Sequence, residues 1–231
     1  VYGDEGGTWR VMRHDPASEL YQVIDRSPVA EPTMEDLERS VEAFEKRLET
    51  YEPSPAMFDA TKQTMDEFGD DGVPYGGGGV GLCIPRDPIW LEAIALRPDI
   101  VKRYLDAQAE QSARHATLAG REGIRYLYGG GDFASTRGPF YSPRAFHELM
   151  LPGLQKITAA CEAAGTLHGF ASDGDLWPVA DDLFGNVHFF YELDTKAGMG
   201  IRRVRATFPK VALLGGVNSE TLHRGTVDEV K

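Results

Sequence analysis

RYLYGGGDFASTRGPFYSPRAFHELMLPGLQKITAACEAAGTLHGFAS, residues 125–172, reads as strand, loop, helix, strand. Its two ends, RYLYGGGDF (125–133) and TLHGFAS (166–172), are short apolar runs of the kind that a sheet buries on both faces. Between them Ser142 can cap a helix that Pro143 opens, because proline at the first helical position gives up an N–H that would lack a partner anyway. The helix should reach residue 164.

The same rhythm continues on both sides. Downstream come a helix over 175–184, the strand HFFYEL (188–193), a helix over 198–207, the strand VALLGGV (211–217) and a helix starting near Ser219. Upstream, VPYGGGGVGLCI (73–84) reads as a strand, followed by helices after Pro88 and Pro98. Before that, Leu37, Val41, Phe44 and Leu48 fall at helical spacing in residues 32–49. Thr33 is the expected N-cap there, with Asp36 where a capping box prefers Glu or Gln. A second helix is expected over 57–68. Residues 1–13, with Gly3, Gly6 and Gly7, read as a hairpin or irregular loop.

Strands alternating with helices imply a parallel sheet with right-handed crossovers. A closed barrel and an open doubly wound sheet both satisfy that pattern. No GxGxxG or GxxxxGK[ST] phosphate loop is present, and GGGDFA has the wrong spacing for one, which favours the barrel. The expected fold is therefore α/β, a (β/α)8 TIM barrel of which five strands of eight are legible. The N-terminal and C-terminal barrel parts are expected to lie outside residues 1–231. One domain is expected, with residues 1–70 as a lead-in and 71–231 as repeating βα units.

The chain has 36 acidic and 24 basic residues, a formal net charge of -12, which argues against nucleic acid and anionic membrane as partners. No apolar run approaches the ~20 residues of a membrane span. Cys83 and Cys161 stand far apart with no ligand-like neighbours, as free thiols do in a reducing compartment. A cytoplasmic location is the expectation, although the chain opens on Val1 and a targeting segment could precede it.

Successive strands end on polar residues: Asp132, then Ser172 and Asp173, then Glu192 with Asp194, then Asn218. In a barrel these ends share one mouth, where active sites are built. Each is also an ordinary cap or turn residue. Glu192 is the exception, being a poor cap in an apolar strand. Desolvation there should raise its pKa and suit it to acid–base work or to anchoring a cation, unless Arg202 pairs with it. Arg137 could clamp a carboxylate, or simply stabilise its loop. His168 is three residues from Ala171, so strand alternation turns it to the opposite face, barring a bulge at Gly169. Tyr126, Tyr128, Phe189 and Tyr191 read chiefly as core. His147, His188 and His223 show no partner.

GGGDFASTRGPFYSPRAFHELMLPGLQKI (129–157), ASDGDLWPVADDLFG (171–185) and ELDTKAGMGIRRVRATFPKVALLGGVNSETLHRGTVDEV (192–230) resemble, in order, blocks of the uroporphyrinogen decarboxylase superfamily. VYGDEGGTWRVM (1–12) and PVAEPTMEDLE (28–38) fit as well. The resemblance spans nearly the whole chain and implies a (β/α)8 barrel. One branch of that superfamily decarboxylates uroporphyrinogen without metal or cofactor. Another transfers methyl groups to or from a corrinoid or a thiol, often with zinc. The chain departs from both. Gly131-Asp132-Phe133-Ala134 stands where the decarboxylases have a Phe-Asp-Ser-Trp-like stretch. Ala171 stands where the methyltransferases often have a histidine.

Glu192 with KAGMG nearby is more similar to the methyltransferase branch. The resemblance then implies methyl transfer with a corrinoid carried by a partner protein. Asp132 and Glu192 would be catalytic, and Asp173, Asn218, Arg137 and Ser172 would contact substrate. The visible residues give no support for zinc; His168 is the one weak candidate ligand. Decarboxylation of a tetrapyrrole carboxylate, with Asp132 stabilising a cationic pyrrole, is the second expectation. A non-catalytic tetrapyrrole-binding barrel is the third. A homodimer is also expected.

Overall fold

The computed structural model describes residues 2–3, 7–28, 31–69 and 79–230. The chain opens on a small antiparallel sheet, β1 (Tyr2–Gly3), β2 (Trp9–Asp15) and β3 (Leu20–Arg26), in that order. Three helices follow: α1 (Met34–Glu49), α2 (Asp59–Phe68) after a 3-10 turn at Pro55–Phe58, and α3 (Pro88–Leu96). Thr33 caps α1 as expected, and the box closes with an aspartate: Asp36 N donates to Thr33 Oγ1 (3.2 Å) and Thr33 N donates to Asp36 Oδ2 (2.9 Å). The shorter side chain is enough to satisfy two end N–H groups.

The remainder is built from βα units around the long helix α4 (Pro98–Arg121). Strand β4 (Tyr126–Gly130) leads through the short pair β5 (Ala134–Ser135) and β6 (Gly138–Pro139) to α5 (Pro143–Ala145). A π-helical turn at Phe146–Met150 joins α5 to α6 (Leu151–Ala164). Then come β7 (Leu167–Ala171), α7 (Ala180–Phe184), β8 (Phe189–Tyr191), α8 (Ile201–Thr207), β9 (Ala212–Leu213), α9 (Ser219–Arg224) and α10 (Val227–Val230). Strands β4, β7, β8 and β9 pair in chain order, all parallel. Each strand lying beside its predecessor is what consecutive units of a barrel wall do. Among the described residues the sheet has these four strands and does not close.

The fifth expected strand, residues 73–84, lies partly outside the described residues. Its described end, 79–84, pairs with no strand. Helix α4 holds it instead, through side chains at i, i+4 and i+7. Gln108 accepts from Cys83 N (3.0 Å) and donates to Cys83 O (2.9 Å). Ser112 Oγ donates to Gly81 O (2.9 Å), and His115 Nδ1 meets Gly79 O (2.7 Å). Gln108→Leu should cost about 2 kcal/mol, because it strands a main-chain N–H and C=O that have little access to water; urea unfolding midpoints measure it.

The two sheet faces differ. Leu127, His168, Phe170 and Phe190 point toward the helices and are fully buried. Leu127, Phe170 and Phe190 form one core with Leu154 and Ile157 of α6. Tyr126, Tyr128, Gly169, Ala171, Phe189 and Tyr191 form the opposite face, where Tyr126, Tyr128 and Tyr191 remain half-buried.

Candidate active site

The polar strand ends do come together. Asp132 follows β4 and Asp173 follows β7. The Asp132 carboxylate accepts from Asp173 N (3.2 Å), tying the two ends to each other. A cavity of about 490 Å³ opens beside them, lined by Asp173, Tyr191, Glu192, Asp194, Gly215 and Asn218 among others. Among the described residues no Lys, Arg or His lines it.

Glu192 reaches this cavity through its backbone. It sits one residue past β8 with φ 70°, the left-handed region that a residue with a Cβ enters at a cost. Tyr191 before it is still in strand register. Gly215, with φ 94°, passes close by: a Cβ on it would come 3.3 Å from Glu192 N. Burial, and then the negative charges of Asp173 and Asp132, push the Glu192 carboxyl above the usual carboxylate range. Burial likewise raises Asp173, helped by Asp132 and Asp194. Mutual repulsion in a partly desolvated cleft favours the neutral acid. Arg202 does not pair with Glu192. Arg86 forms an ion pair with Asp132 at 3.5 Å.

The other expected site residues sit differently. Asn218 lines the cavity, yet its Oδ1 caps α9 by accepting from Thr221 N (2.9 Å), which leaves the amide Nδ2 as the group to offer a ligand. Ser172 is fully buried beneath the mouth; its Oγ accepts from Phe133 N (3.3 Å) and lies 3.0 Å from Asp173 O. It joins the loops after β4 and β7. Arg137 is exposed in the β5–β6 turn, with its main-chain N on Ser135 Oγ (3.2 Å). His168 lies on the helix side, opposite Ala171, and the β4–β7 register runs unbroken through Gly169. Among the described residues no three His, Cys, Asp or Glu side chains gather as a metal site.

His168 has a structural consequence instead. Thr158 Oγ1 donates to Asn186 O (2.6 Å), so it accepts from His168 Nδ1 (2.8 Å) and fixes the tautomer. His168 Nε2 is left buried without a partner, and His168 N donates to His188 Nδ1 (3.0 Å). Burial, with His188 beside it, lowers the His168 pKa to about 3. The unfolded chain takes up a proton near pH ~6.5 that the folded chain refuses, so stability should fall as the pH drops from ~6.5 toward 3. His168→Gln should flatten that slope by up to about 1.4 kcal/mol per pH unit; urea midpoints at about pH 5 and 6 test it.

Two features of the site were not read from the sequence. Arg86 lies in a Pro-rich turn with no periodic signal. Tyr128 and Tyr191, expected in the core, meet edge to face at 5.0 Å on the open side of the sheet, and Tyr191 lines the cavity.

A polar cluster at the C-terminal ends of sequential parallel strands invites comparison with known enzymes. The chain is similar in fold to a methyltransferase from Methanosarcina mazei. The two superpose with a TM-score of 0.60 over 76% of this chain, at 20% sequence identity. The match covers 52% of that protein, so the chain spans about half its length. No family model matches the sequence, and no curated protein matches it significantly. Among the described residues no helix is long and apolar enough to cross a membrane.

Proposed function

We propose that the chain forms part of a (β/α)8-barrel methyltransferase of the uroporphyrinogen decarboxylase superfamily, working in the cytoplasm with a corrinoid carried by a partner protein. The observation that supports this most is the cavity at the strand ends in which Asp173, Glu192, Asp194 and Asn218 meet. The likeness to a methyltransferase fold supports the same reading.

The cavity of about 490 Å³ has room for a small methyl donor beside Glu192 and Asn218. In this reading a corrinoid on the partner protein would serve as the methyl acceptor. The residues of this chain handle the donor. Glu192, whose carboxyl holds its proton more tightly through burial and the charges of Asp173 and Asp132, gives its proton to the leaving heteroatom of the donor. The bond from that heteroatom to the methyl carbon breaks, the electron pair stays on the heteroatom, and the methyl passes to the acceptor. Asp132 fixes the Asp173 main chain. The Asn218 amide and the Asp173 carboxyl position the donor, and Ser172 ties the loops after β4 and β7 beneath it.

The full-length protein should transfer methyl from a small heteroatom-linked methyl donor to a reduced, unmethylated corrinoid protein, and leave uroporphyrinogen intact. Carbon dioxide release from uroporphyrinogen without methyl loss would overturn the reading in favour of a decarboxylase. Binding of a tetrapyrrole with neither reaction would overturn it in favour of a non-catalytic barrel.

A further inference from the structure

Three arginines in the strand-end loops stand without a carboxylate partner among the described residues. On the helices the pattern is the opposite: Arg103, Arg114 and Arg144 of α4 and α5 pair with Glu45, Glu110 and Glu148. Arg137, in the β5–β6 turn, and Arg202 and Arg203, in the first turn of α8, are exposed and make no such pair. On a chain with a formal net charge of -12 these cations are locally unbalanced.

Packing gathers Arg137 and Arg203 around one short segment, the 3-10 turn Trp177–Val179 that follows β7. The β5–β6 pair leans on it: Asp175 N donates to Ser135 O (2.8 Å), and a Cβ on Gly138, next to Arg137, would come 4.0 Å from Pro178 Cγ. The Arg203 guanidinium lies 3.9 Å over the Trp177 ring. Trp177 is fixed in turn, because its Nε1 donates to Gly198 O (3.0 Å) in the loop whose Asp194 lines the cavity. A guanidinium stacked on an indole keeps its N–H edge open for a carboxylate. Asp175, two residues before Trp177, already uses its Oδ1 to accept from Trp177 N (3.0 Å).

We propose that Arg137, Arg202 and Arg203 form the docking patch for an acidic surface on the corrinoid-carrying partner; this rests on the methyl-transfer reading. An acidic partner is repelled by most of this acidic chain and attracted where cations stand unpaired. The patch therefore sets its orientation as well as its affinity. Its place beside the loops after β4, β7 and β8 brings that partner to the end of the sheet where the cavity opens. Nucleic acid or an anionic membrane would spread over far more of the acidic surface and fits less well.

Initial rates with two acceptors, free cob(I)alamin and the reduced corrinoid protein of the preceding test, separate docking from chemistry in the full-length protein. Arg202→Glu and Arg203→Glu should each raise the KM for the corrinoid protein about fivefold, as an attraction becomes a repulsion, and leave methylation of free cob(I)alamin unchanged. Arg137→Glu should raise the same KM. The wild-type KM should climb with added salt, and the variants' less steeply. Lys210→Glu makes the same charge change in the loop between α8 and β9, at the far end of the strands, and should alter neither rate. A KM indifferent to all three arginine variants would overturn the patch while methyl transfer stands. So would an equal rise for Lys210→Glu, or a loss at Arg202 and Arg203 that is the same with both acceptors. If the wild-type protein methylates neither acceptor, the methyl-transfer reading falls and the docking patch with it.

Discussion

Glu192→Gln is expected to lower methyl-transfer turnover by about 10²–10⁴-fold, the range that a positioned general acid supplies. The amide keeps the shape and one hydrogen-bond donor but has no proton to give at neutral pH. The loss should fall on kcat more than on KM, because the proton moves only as the methyl leaves. The pH profile separates this role from a structural one. Burial and the charges of Asp173 and Asp132 hold the Glu192 carboxyl above its ordinary range, so wild-type turnover should decline as pH rises through that raised pKa. The variant should lose that limb. Asp173→Asn removes the first-named charged neighbour and should move the limb to lower pH. A variant with unchanged turnover, or one that keeps the same alkaline decline, would remove Glu192 from the mechanism.

Gly129→Ala should destabilise the chain by about 3 kcal/mol or more, among the larger effects a single methyl can have. Gly129 sits in β4 on the helix side, where residues 79–81 cross it. An added Cβ would stand 1.9 Å from Val80 O, 2.5 Å from Val80 C and 2.9 Å from Gly81 Cα. All three are main-chain atoms, and α4 holds that main chain at Gly79, Gly81 and Cys83. The collision therefore cannot be relieved by a rotamer change. For a domain of this size the melting temperature should drop by about 6–12 °C. Gly81→Ala is the control: a Cβ there meets nothing within 4 Å, and its effect should stay within about 0.5 kcal/mol. Similar melting temperatures for the two variants would show that the crossing is looser than described.

The alternation of strands and helices from residue 125 onward was legible because each strand is a short apolar run with a turn residue behind it. Ser142 and Pro143, and Asn218 ahead of α9, mark helix starts through local chemistry, and the structure uses them so. What escaped the sequence depends on geometry between elements. The faces of the sheet were hidden because aromatic residues stand on both, so Phe190 in the core and Tyr191 at the cavity read alike. Residues 79–84 looked like a strand because their composition is apolar, but their partners are side chains of a helix 25 or more residues later, which no local pattern reports. At the site, Asp132, Asp173, Glu192 and Asn218 could be placed at strand ends from spacing alone. That Ser172 turns into the floor and that Asn218 spends its oxygen on a cap depends on single side-chain rotations.

The grip of α4 on residues 79–83 has a bearing on how this protein can vary. Gln108, Ser112 and His115 hold carbonyls and an amide, atoms that every amino acid except proline supplies alike. The location of the segment is thus encoded mostly on a helix elsewhere in the chain. Positions such as Gly81 can exchange residues over time while the loop keeps its place, whereas the three gripping positions on α4 have far less freedom to change.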